Sequence, residues 1–116
     1  MQQKNQSQSQ LHNYFLTSKL KYSLNKEIIT SIKIRNHFIK GILKEYDQHL
    51  NLLLENPIEI VYDKNGKKEK ELKNKKLIIR GDSIISIDIN PEKSEIIQID
   101  HTGKLDTDVL EESEEE

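Results

Sequence analysis

The stretch GILKEYDQHLNLLLEN, from Gly41 to Asn56, decides the fold of this 116-residue chain. Gly41 lies inside an apolar segment, where glycine indicates a sharp bend or a close approach of another backbone. After a polar connection at residues 47–49, apolar side chains recur with a period of two, which is typical of one face of a long strand. These side chains are Leu50, Leu52, Leu54, Ile58 and Ile60. The stretch therefore predicts two strands joined by a tight connection.

Turn residues and apolar periodicity divide the surrounding sequence into three further strands. Asn65-Gly66 and Gly81-Asp82 mark two of the turns, and Pro91 ends the last strand. Residues 35–37 form another turn. The five predicted strands span residues 27–34, 38–46, 50–60, 69–80 and 83–89.

A short helix precedes the strands. Leu16, Leu20 and Leu24 recur every four residues and lie on one stripe of this helix. Asn25 ends it, because asparagine tolerates the left-handed backbone conformation. Five short strands with a strong bend at a glycine usually close on themselves. The predicted fold is therefore mostly β, with an N-terminal α-helix on a small, strongly bent five-stranded antiparallel barrel.

Two segments leave alternatives open. The run KKEKELKNKK at residues 67–76 fits a solvated helix or loop as well as a strand, although the apolar residues 77–79 favour a strand for the second half. The same basic run either solvates an extended loop or contacts the phosphate groups of a binding partner. After Pro91, the apolar patch at residues 96–99 fits a strand, a helix or a linker.

The composition separates the two ends from the middle. The chain has 18 Lys and Arg against 20 Asp and Glu. Residues 1–14 form a Gln- and Ser-rich leader and residues 91–116 an acidic tail, and both are predicted to be disordered because they bury too little apolar area. The remaining domain, residues 15–90, is mildly basic, which suits a phosphate backbone.

Several classes of protein are disfavoured by what the sequence lacks. Without cysteine there is no disulfide framework or thiolate metal site, and no apolar run is long enough for a membrane span or a secretion signal. The four histidines have no ligand spacing with carboxylates, and there is no nucleophile motif or Gly-rich phosphate loop. We expect a non-enzymatic protein of the cytosol or nucleus with no metal, cofactor, membrane partner or small-molecule substrate.

A second phrase, LIIRGDSIISI from Leu77 to Ile87, follows the first phrase in the chain. Together, YDQHLN at residues 46–51 and Arg80-Gly81-Asp82 resemble the paired signatures of the Sm and Sm-like (LSm) family. The resemblance extends over residues 16–89 and implies the Sm fold, which is an SH3-like barrel. It also implies a ring of six or seven Sm or LSm subunits, in which the fourth strand of one subunit pairs with the fifth strand of the next. Such pairing would cover apolar edges that otherwise invite aggregation.

The resemblance also implies the RNA-binding residues, which are His49 and Asn51 from the first phrase and Arg80 and Gly81 from the second. The imidazole of His49 and the guanidinium of Arg80 suit stacking on the two faces of a uracil. The Asn51 amide has a donor and an acceptor for the base edge, and Gly81 would leave a backbone N–H accessible to the base.

Two carboxylates are expected to support this site. Asp47 is predicted to accept an Asx-type hydrogen bond from the turn backbone, and Asp82 to orient the neighbouring loop. Arg80-Gly81-Asp82 also spells a cell-adhesion tripeptide, but the absence of cysteine and of a secretion signal disfavours that role.

The subunit type is read from the same phrases. YDQHLN resembles LSm subunits, whereas LLLEN and RGDS look more like D-type or B subunits of the spliceosomal Sm core, and the acidic end disfavours the members with Arg-Gly tails. We expect a subunit of a hetero-oligomeric ring that binds uridine-rich single-stranded RNA, here small nuclear RNA. The ring would form the core of a small nuclear ribonucleoprotein that acts in pre-mRNA splicing in the nucleus after assembly in the cytoplasm.

Two alternatives remain. The first is an LSm ring subunit that holds the uridine-rich end of an RNA in splicing or in mRNA decay, and a decay subunit would be cytoplasmic. The second is a structural ring or adaptor subunit that has no RNA pocket of its own.

Overall fold

The fold is an N-terminal helical segment followed by one antiparallel sheet, in a computed structural model that describes residues 16–99. Residues 16–20 are α-helical and continue into a 3-10 turn, Lys21–Ser23. A second 3-10 turn, Gly81–Ser83, separates the fifth strand from the sixth. The strands within this part of the chain are β1 Glu27–Ile32, β2 His37–Tyr46, β3 Leu52–Asp63, β4 Gly66–Glu71, β5 Lys76–Ile79, β6 Ile84–Asp88 and β7 Ile96–Gln98.

The helical segment lies on the sheet through its leucine stripe, as predicted. Leu16 and Leu20 are buried in the core, and Leu24 packs against it. Asn25 ends the segment with φ of 65° and donates its backbone N–H to the Leu43 carbonyl at 2.7 Å. Each Å² of apolar surface removed from water stabilises the fold by about 25 cal/mol. A helix this short is unstable alone, so the burial of the two leucines holds it in place.

The order of strands follows from the hairpins. Within the sheet, β1 pairs with both β2 and β6, and β2 pairs with β3. The first part of β3 pairs with β5 and the second part with β4, while β7 pairs with the outer edge of β6. The Gly81–Ser83 turn therefore leads the chain from β5, beside β3, to β6, beside β1. This path brings the two phrases that carry the family resemblance into one small domain.

Three strands break at one level of the sheet. The pairing of β2 with β3 shifts register between Lys40 and Ile42, opposite Asn56, which has φ of 53°. Asn56 donates its N–H to the Lys75 carbonyl at 2.7 Å, in the gap between β4 and β5. A Cβ on Gly41 would lie 3.0 Å from the Leu54 Cβ, so the two strands approach too closely there for a side chain. These irregularities bend the sheet.

The bend also changes which side chains of β3 are buried. Leu52, Leu54 and Ile60 are in the core, as predicted, but Ile58 is only half-buried. The extra residue at Asn56 shifts the alternation, so that Pro57 takes the buried position instead. The buried apolar residues are Leu16, Leu20, Ile28, Ile39, Leu43, Leu50, Leu52, Leu54, Ile60, Ile79, Ile84 and Ile87.

The charged run resolves into two strands with a gap. Residues 66–71 form β4, which is exposed along its whole length and pairs with β3 from Ile58 to Asp63. Ion pairs join Lys67 to Glu69 at 2.9 Å and Lys68 to Asp63 at 3.3 Å. The predicted fourth strand is thus interrupted at residues 72–75, and its second half is β5.

The domain extends beyond the predicted boundary. Strand β7 lies within the segment 91–116 that was predicted to be disordered, and Ile97 and Ile99 pack against the core. The boundary after residue 90 is therefore wrong, because these isoleucines add apolar contacts to the barrel. The leader 1–14 and residues 100–116 lie outside the described residues. No helix within residues 16–99 has the length and apolar character needed to cross a membrane.

The close approach at Gly41 predicts the effect of a side chain there. Gly41→Val should lower the free energy of unfolding by roughly 1–3 kcal/mol, because its Cβ and methyl groups would press on Leu54 and distort the bend. Urea unfolding followed by circular dichroism measures the change. Ile42→Val, at the next position of β2, is the control and should have a smaller effect; equal effects would contradict the bend.

Candidate nucleic-acid interface

The connection between β2 and β3, residues 47–51, is organised by one carboxylate. Asp47 accepts hydrogen bonds at Oδ1 from the backbone N–H groups of His49 at 2.8 Å and Asn51 at 3.0 Å, and at Oδ2 from the Asn51 side-chain amide at 2.9 Å. Leu50 has φ of 65° and is buried at the bottom of the loop. The Asx-type bond predicted for Asp47 is thus confirmed, and it is one of three bonds to this carboxylate.

The hydrogen bonds favour the charged form of Asp47. Partial burial raises the pKa of Asp47, but the hydrogen bonds from Asn51 and His49 outweigh it, so that the pKa lies below its ordinary value of 3.8. A carboxylate that accepts several N–H donors is stabilised in this way. The loop is therefore held by a charged acceptor throughout the neutral pH range.

The Asn51 side chain joins this loop to the second phrase. Its Oδ1 accepts a hydrogen bond from the Gly81 backbone N–H at 2.9 Å, across 30 residues of sequence. Gly81 is buried, and a Cβ at this position would overlap the carbonyl oxygen of His49. The two segments that the sequence analysis brought together are in contact, and glycine is required because the backbones touch.

This geometry corrects two of the predicted roles. The N–H of Gly81 is not accessible to a base, because Asn51 occupies it. The Asn51 amide uses one oxygen lone pair for Gly81 and one N–H for Asp47, so only its second N–H and second lone pair remain for a ligand. Both residues hold the two loops together, a role that the sequence analysis missed, although the Asp-x-x-x-Asn spacing was visible in the sequence.

Asp82 also differs from the prediction. Its Oδ2 lies 3.3 Å from Nη2 of Arg80 in the same loop, rather than against the neighbouring loop. The side chains of Arg80 and Asp82 are 78% and 60% exposed, so this pair is worth at most about 1 kcal/mol. Ser83 donates its Oγ–H to the Arg80 carbonyl at 2.8 Å and fixes the backbone of Arg80, while the guanidinium stays free to leave Asp82.

The two hydrogen-bonded loops present two exposed side chains, those of His49 and Arg80. His49 is exposed, and its backbone is fixed by Asp47 and contacts Gly81. Arg80 is the residue directly before Gly81. An imidazole and a guanidinium on adjoining backbones can stack on or hydrogen-bond to a flat polar ligand such as a nucleobase. No group of three or more acidic or histidine side chains within residues 16–99 is placed to hold a metal ion.

The role of Asp47 predicts a pH-dependent stability. Asp47→Asn should lower the free energy of unfolding by about 1 kcal/mol at neutral pH, because a neutral amide replaces a charged acceptor of three hydrogen bonds at an exposed site. Since folding lowers the pKa, the carboxylate contributes fully above 3.8, and its contribution is lost as the pH falls through the lowered value.

Urea unfolding of both proteins from neutral to acidic pH measures this difference, which should shrink below pH 3.8. Asp82→Asn is the matched control, because its carboxylate contacts only the exposed Arg80 among the hydrogen bonds and ion pairs described here. Similar stability losses in the two variants at neutral pH would rule out the organising role of Asp47.

Comparison with known proteins agrees with the fold and with the two phrases. The family model of the LSM domain matches residues 18–89. Small nuclear ribonucleoprotein Sm D2 of Saccharomyces cerevisiae is 39% identical over 62 residues, which make up 52% of this chain and 56% of that protein. The chain thus spans little more than half the length of this curated relative.

Solved structures include two archaeal Sm proteins. An Sm-like protein from Archaeoglobus fulgidus has a TM-score of 0.50 at 24% identity, over 61% of this chain and 88% of that chain. The Pyrococcus abyssii Sm protein in complex with a uridine heptamer has a TM-score of 0.49 at 26% identity, over 61% of this chain and 92% of that chain.

The family match covers more than half of the chain, and the relative in Saccharomyces cerevisiae is a D-type subunit. The predicted Sm fold and the resemblance to a D-type subunit are therefore confirmed. The chain belongs to the LSM domain family.

Proposed function

We propose that this chain is a subunit of a hetero-oligomeric Sm-type ring that binds uridine-rich single-stranded RNA in the core of a small nuclear ribonucleoprotein. The observation behind this proposal is the hydrogen bond from Gly81 to Asn51, which joins the two loops that carry the exposed side chains of His49 and Arg80. The ribonucleoprotein would act in pre-mRNA splicing in the nucleus, with small nuclear RNA as its ligand.

The proposed contact with RNA is stacking rather than dense hydrogen bonding. The Arg80–Asp82 pair is exposed and weak, so the guanidinium can leave it for the face of a uracil. The imidazole of His49 would cover the other face, and the second N–H of the Asn51 amide would reach the base edge. Stacking of this kind is worth about 1–3 kcal/mol per base, so one subunit binds weakly and a ring adds the contributions of its subunits.

The strand edges support assembly into a ring. Among the described strands, β5 pairs only with β3, and its Ile78 is 67% exposed. Ile85 of β6 is 43% exposed. Two apolar strands with partly uncovered isoleucines fit a head-to-tail contact, in which β5 of one subunit pairs with the sixth strand of the next and every subunit repeats the contact.

The D-type relative favours the splicing role. The relative in Saccharomyces cerevisiae is the small nuclear ribonucleoprotein Sm D2, which is 39% identical to this chain over 62 residues. The second candidate, an LSm subunit that holds the uridine-rich end of an RNA in splicing or mRNA decay, is favoured by the phrase YDQHLN at residues 46–51. The two candidates use the same proposed RNA-binding residues and differ in the RNA and the partner subunits that co-purify with the chain.

Alanine substitutions in the two loops test the RNA-binding role. His49→Ala and Arg80→Ala should each weaken binding of oligouridine by the purified ring roughly tenfold, because each removes one stacking surface from the base. Fluorescence anisotropy and ultraviolet crosslinking to this subunit measure the loss.

The matched controls are His37→Ala and Arg35→Ala, which remove the same residue types outside the two loops and should leave binding unchanged. Unchanged crosslinking in His49→Ala and Arg80→Ala would favour an adaptor subunit without a pocket.

A charge at the free edge tests the ring. Ile78→Lys should abolish incorporation into the ring while circular dichroism stays native, because Ile78 is exposed in the single chain and would be covered by a neighbour. Co-purification of partner subunits and native mass spectrometry measure incorporation. Ile34→Lys places the same charge at a 56% exposed isoleucine in the β1–β2 turn and should incorporate normally. Incorporation of Ile78→Lys at the normal level would exclude the β5 edge as the contact.

A further inference from the structure

Strand β6 has no free edge in the single chain. One edge pairs with β1, from Ile29 opposite Asp88 to Ile32 opposite Ile84. The other edge pairs with β7, where Ser86 lies opposite Gln98 and Ile87 opposite Ile97. Hydrogen bonds extend this ladder at both ends, from the Ile99 N–H to the Ile85 carbonyl at 2.9 Å and from the Ile89 N–H to the Glu95 carbonyl at 3.0 Å.

Strand β5 differs from β6, because one of its edges is unpaired. Among the strands of residues 16–99, β5 has a partner on one edge only, β3, and Ile78 projects from it into solvent. A head-to-tail contact between two copies of this fold needs one open edge on each subunit. The chain offers the β5 edge, but β7 covers the β6 edge.

From this difference we infer that β7 is a displaceable strand that stands in for the neighbouring subunit. When a ring forms, the edge strand of the adjacent Sm-type subunit, equivalent to β5, replaces β7 on β6. This inference rests on the proposed function, because it assumes that the chain enters a ring. Until then, β7 protects the free subunit from pairing with unrelated strands.

The short length and the exposure of β7 favour its release from β6. It contains three residues, two of which, Ile96 and Gln98, are exposed, whereas β1 on the other edge of β6 contributes the fully buried Ile28 and Thr30. The turn before β7 includes Ser94 at φ of 57°, a conformation that residues other than glycine rarely adopt. Short edge strands with few buried contacts belong to the least stable parts of a fold and open first.

Replacement of β7 by a neighbouring strand is also favoured in free energy. A neighbouring edge strand can form the same type of backbone hydrogen bonds with β6 that β7 forms, so few hydrogen bonds are lost in the exchange. The neighbour in addition covers apolar surface such as Ile85, which stays 43% exposed beside β7. Release of β7 is therefore favoured when a neighbour is present and disfavoured in the free chain.

A reversible disulfide tests the exchange. Ser86 and Gln98 face each other across the β6–β7 ladder and neither is in the core, so Ser86→Cys with Gln98→Cys should lock β7 in place when oxidised. The chain has no cysteine of its own, so these are its only thiols. The control is Ile58→Cys with Glu71→Cys, an opposed pair that locks β4 to β3 outside the cavity lined by Ser86 and Ile96.

The measurement is incorporation of the full-length chain into the ring. The purified ring is dissociated in guanidinium and reassembled with the recombinant variant in place of the native chain, and native mass spectrometry follows the product over time. The oxidised Ser86→Cys/Gln98→Cys chain should incorporate at least tenfold more slowly than the same chain after reduction. The oxidised control should incorporate like the wild type, and Ile97→Pro, which weakens β7, should incorporate several-fold faster.

The outcomes separate this inference from the proposed function. If the oxidised lock incorporates as fast as the oxidised control, β7 does not stand in the way and the inference is wrong, while a ring that binds oligouridine leaves the proposed function intact. If neither wild type nor Ile97→Pro incorporates, the chain is not a subunit of that ring, and both proposals fail.

Discussion

The hydrogen bond from the Gly81 backbone to the Asn51 side chain is the contact on which the candidate site depends. It connects two loops that are 30 residues apart in sequence, and it works only because other contacts hold each loop in shape. The charged carboxylate of Asp47 holds Asn51 by accepting hydrogen bonds from its backbone N–H and its side-chain amide. The absence of a side chain on Gly81 lets its backbone approach the His49 carbonyl. Asn51 and Gly81 thus hold the two loops together, and the side chains of His49 and Arg80 on these loops are exposed.

The bend of the sheet explains how the two loops can meet. Gly41 in β2, Asn56 in β3 and the gap between β4 and β5 lie at one level, so that the strands change direction together. A flat sheet of this size would leave the end of β5 far from the start of β6 and would bury little of either face. Because the sheet bends, one layer of strands encloses a core of leucine and isoleucine with only a short helix to cover it.

In the proposed ring, the two edges of the sheet have different roles. A subunit built for a ring needs edge strands that accept a neighbour, yet an open apolar edge is an aggregation hazard before the neighbour arrives. Exposed charge on β4 and the cover that β7 provides for β6 address this hazard at two places. The β5 edge, with its exposed isoleucine, has no such cover among the described strands. The described strands thus leave one edge of β5 unpaired and cover the outer edge of β6 with β7.

Local sequence determined the kinds of elements in this protein. The leucine stripe of the helix, the left-handed Asn25, the period of two in β1 and in the first part of β3, and the turn at Asn65-Gly66 all appear in the structure. Each of them depends on residues close together in the chain. The two family phrases likewise identified the loops that meet. Tertiary structure decided what depends on distant contacts. Whether residues 66–71 form a strand depended on β3 being available to pair, and whether residues 96–98 form one depended on the open edge of β6. The occupied N–H of Gly81 also depended on Asn51 arriving from another loop, since hydrogen-bond partners across a fold leave no periodic trace in the sequence.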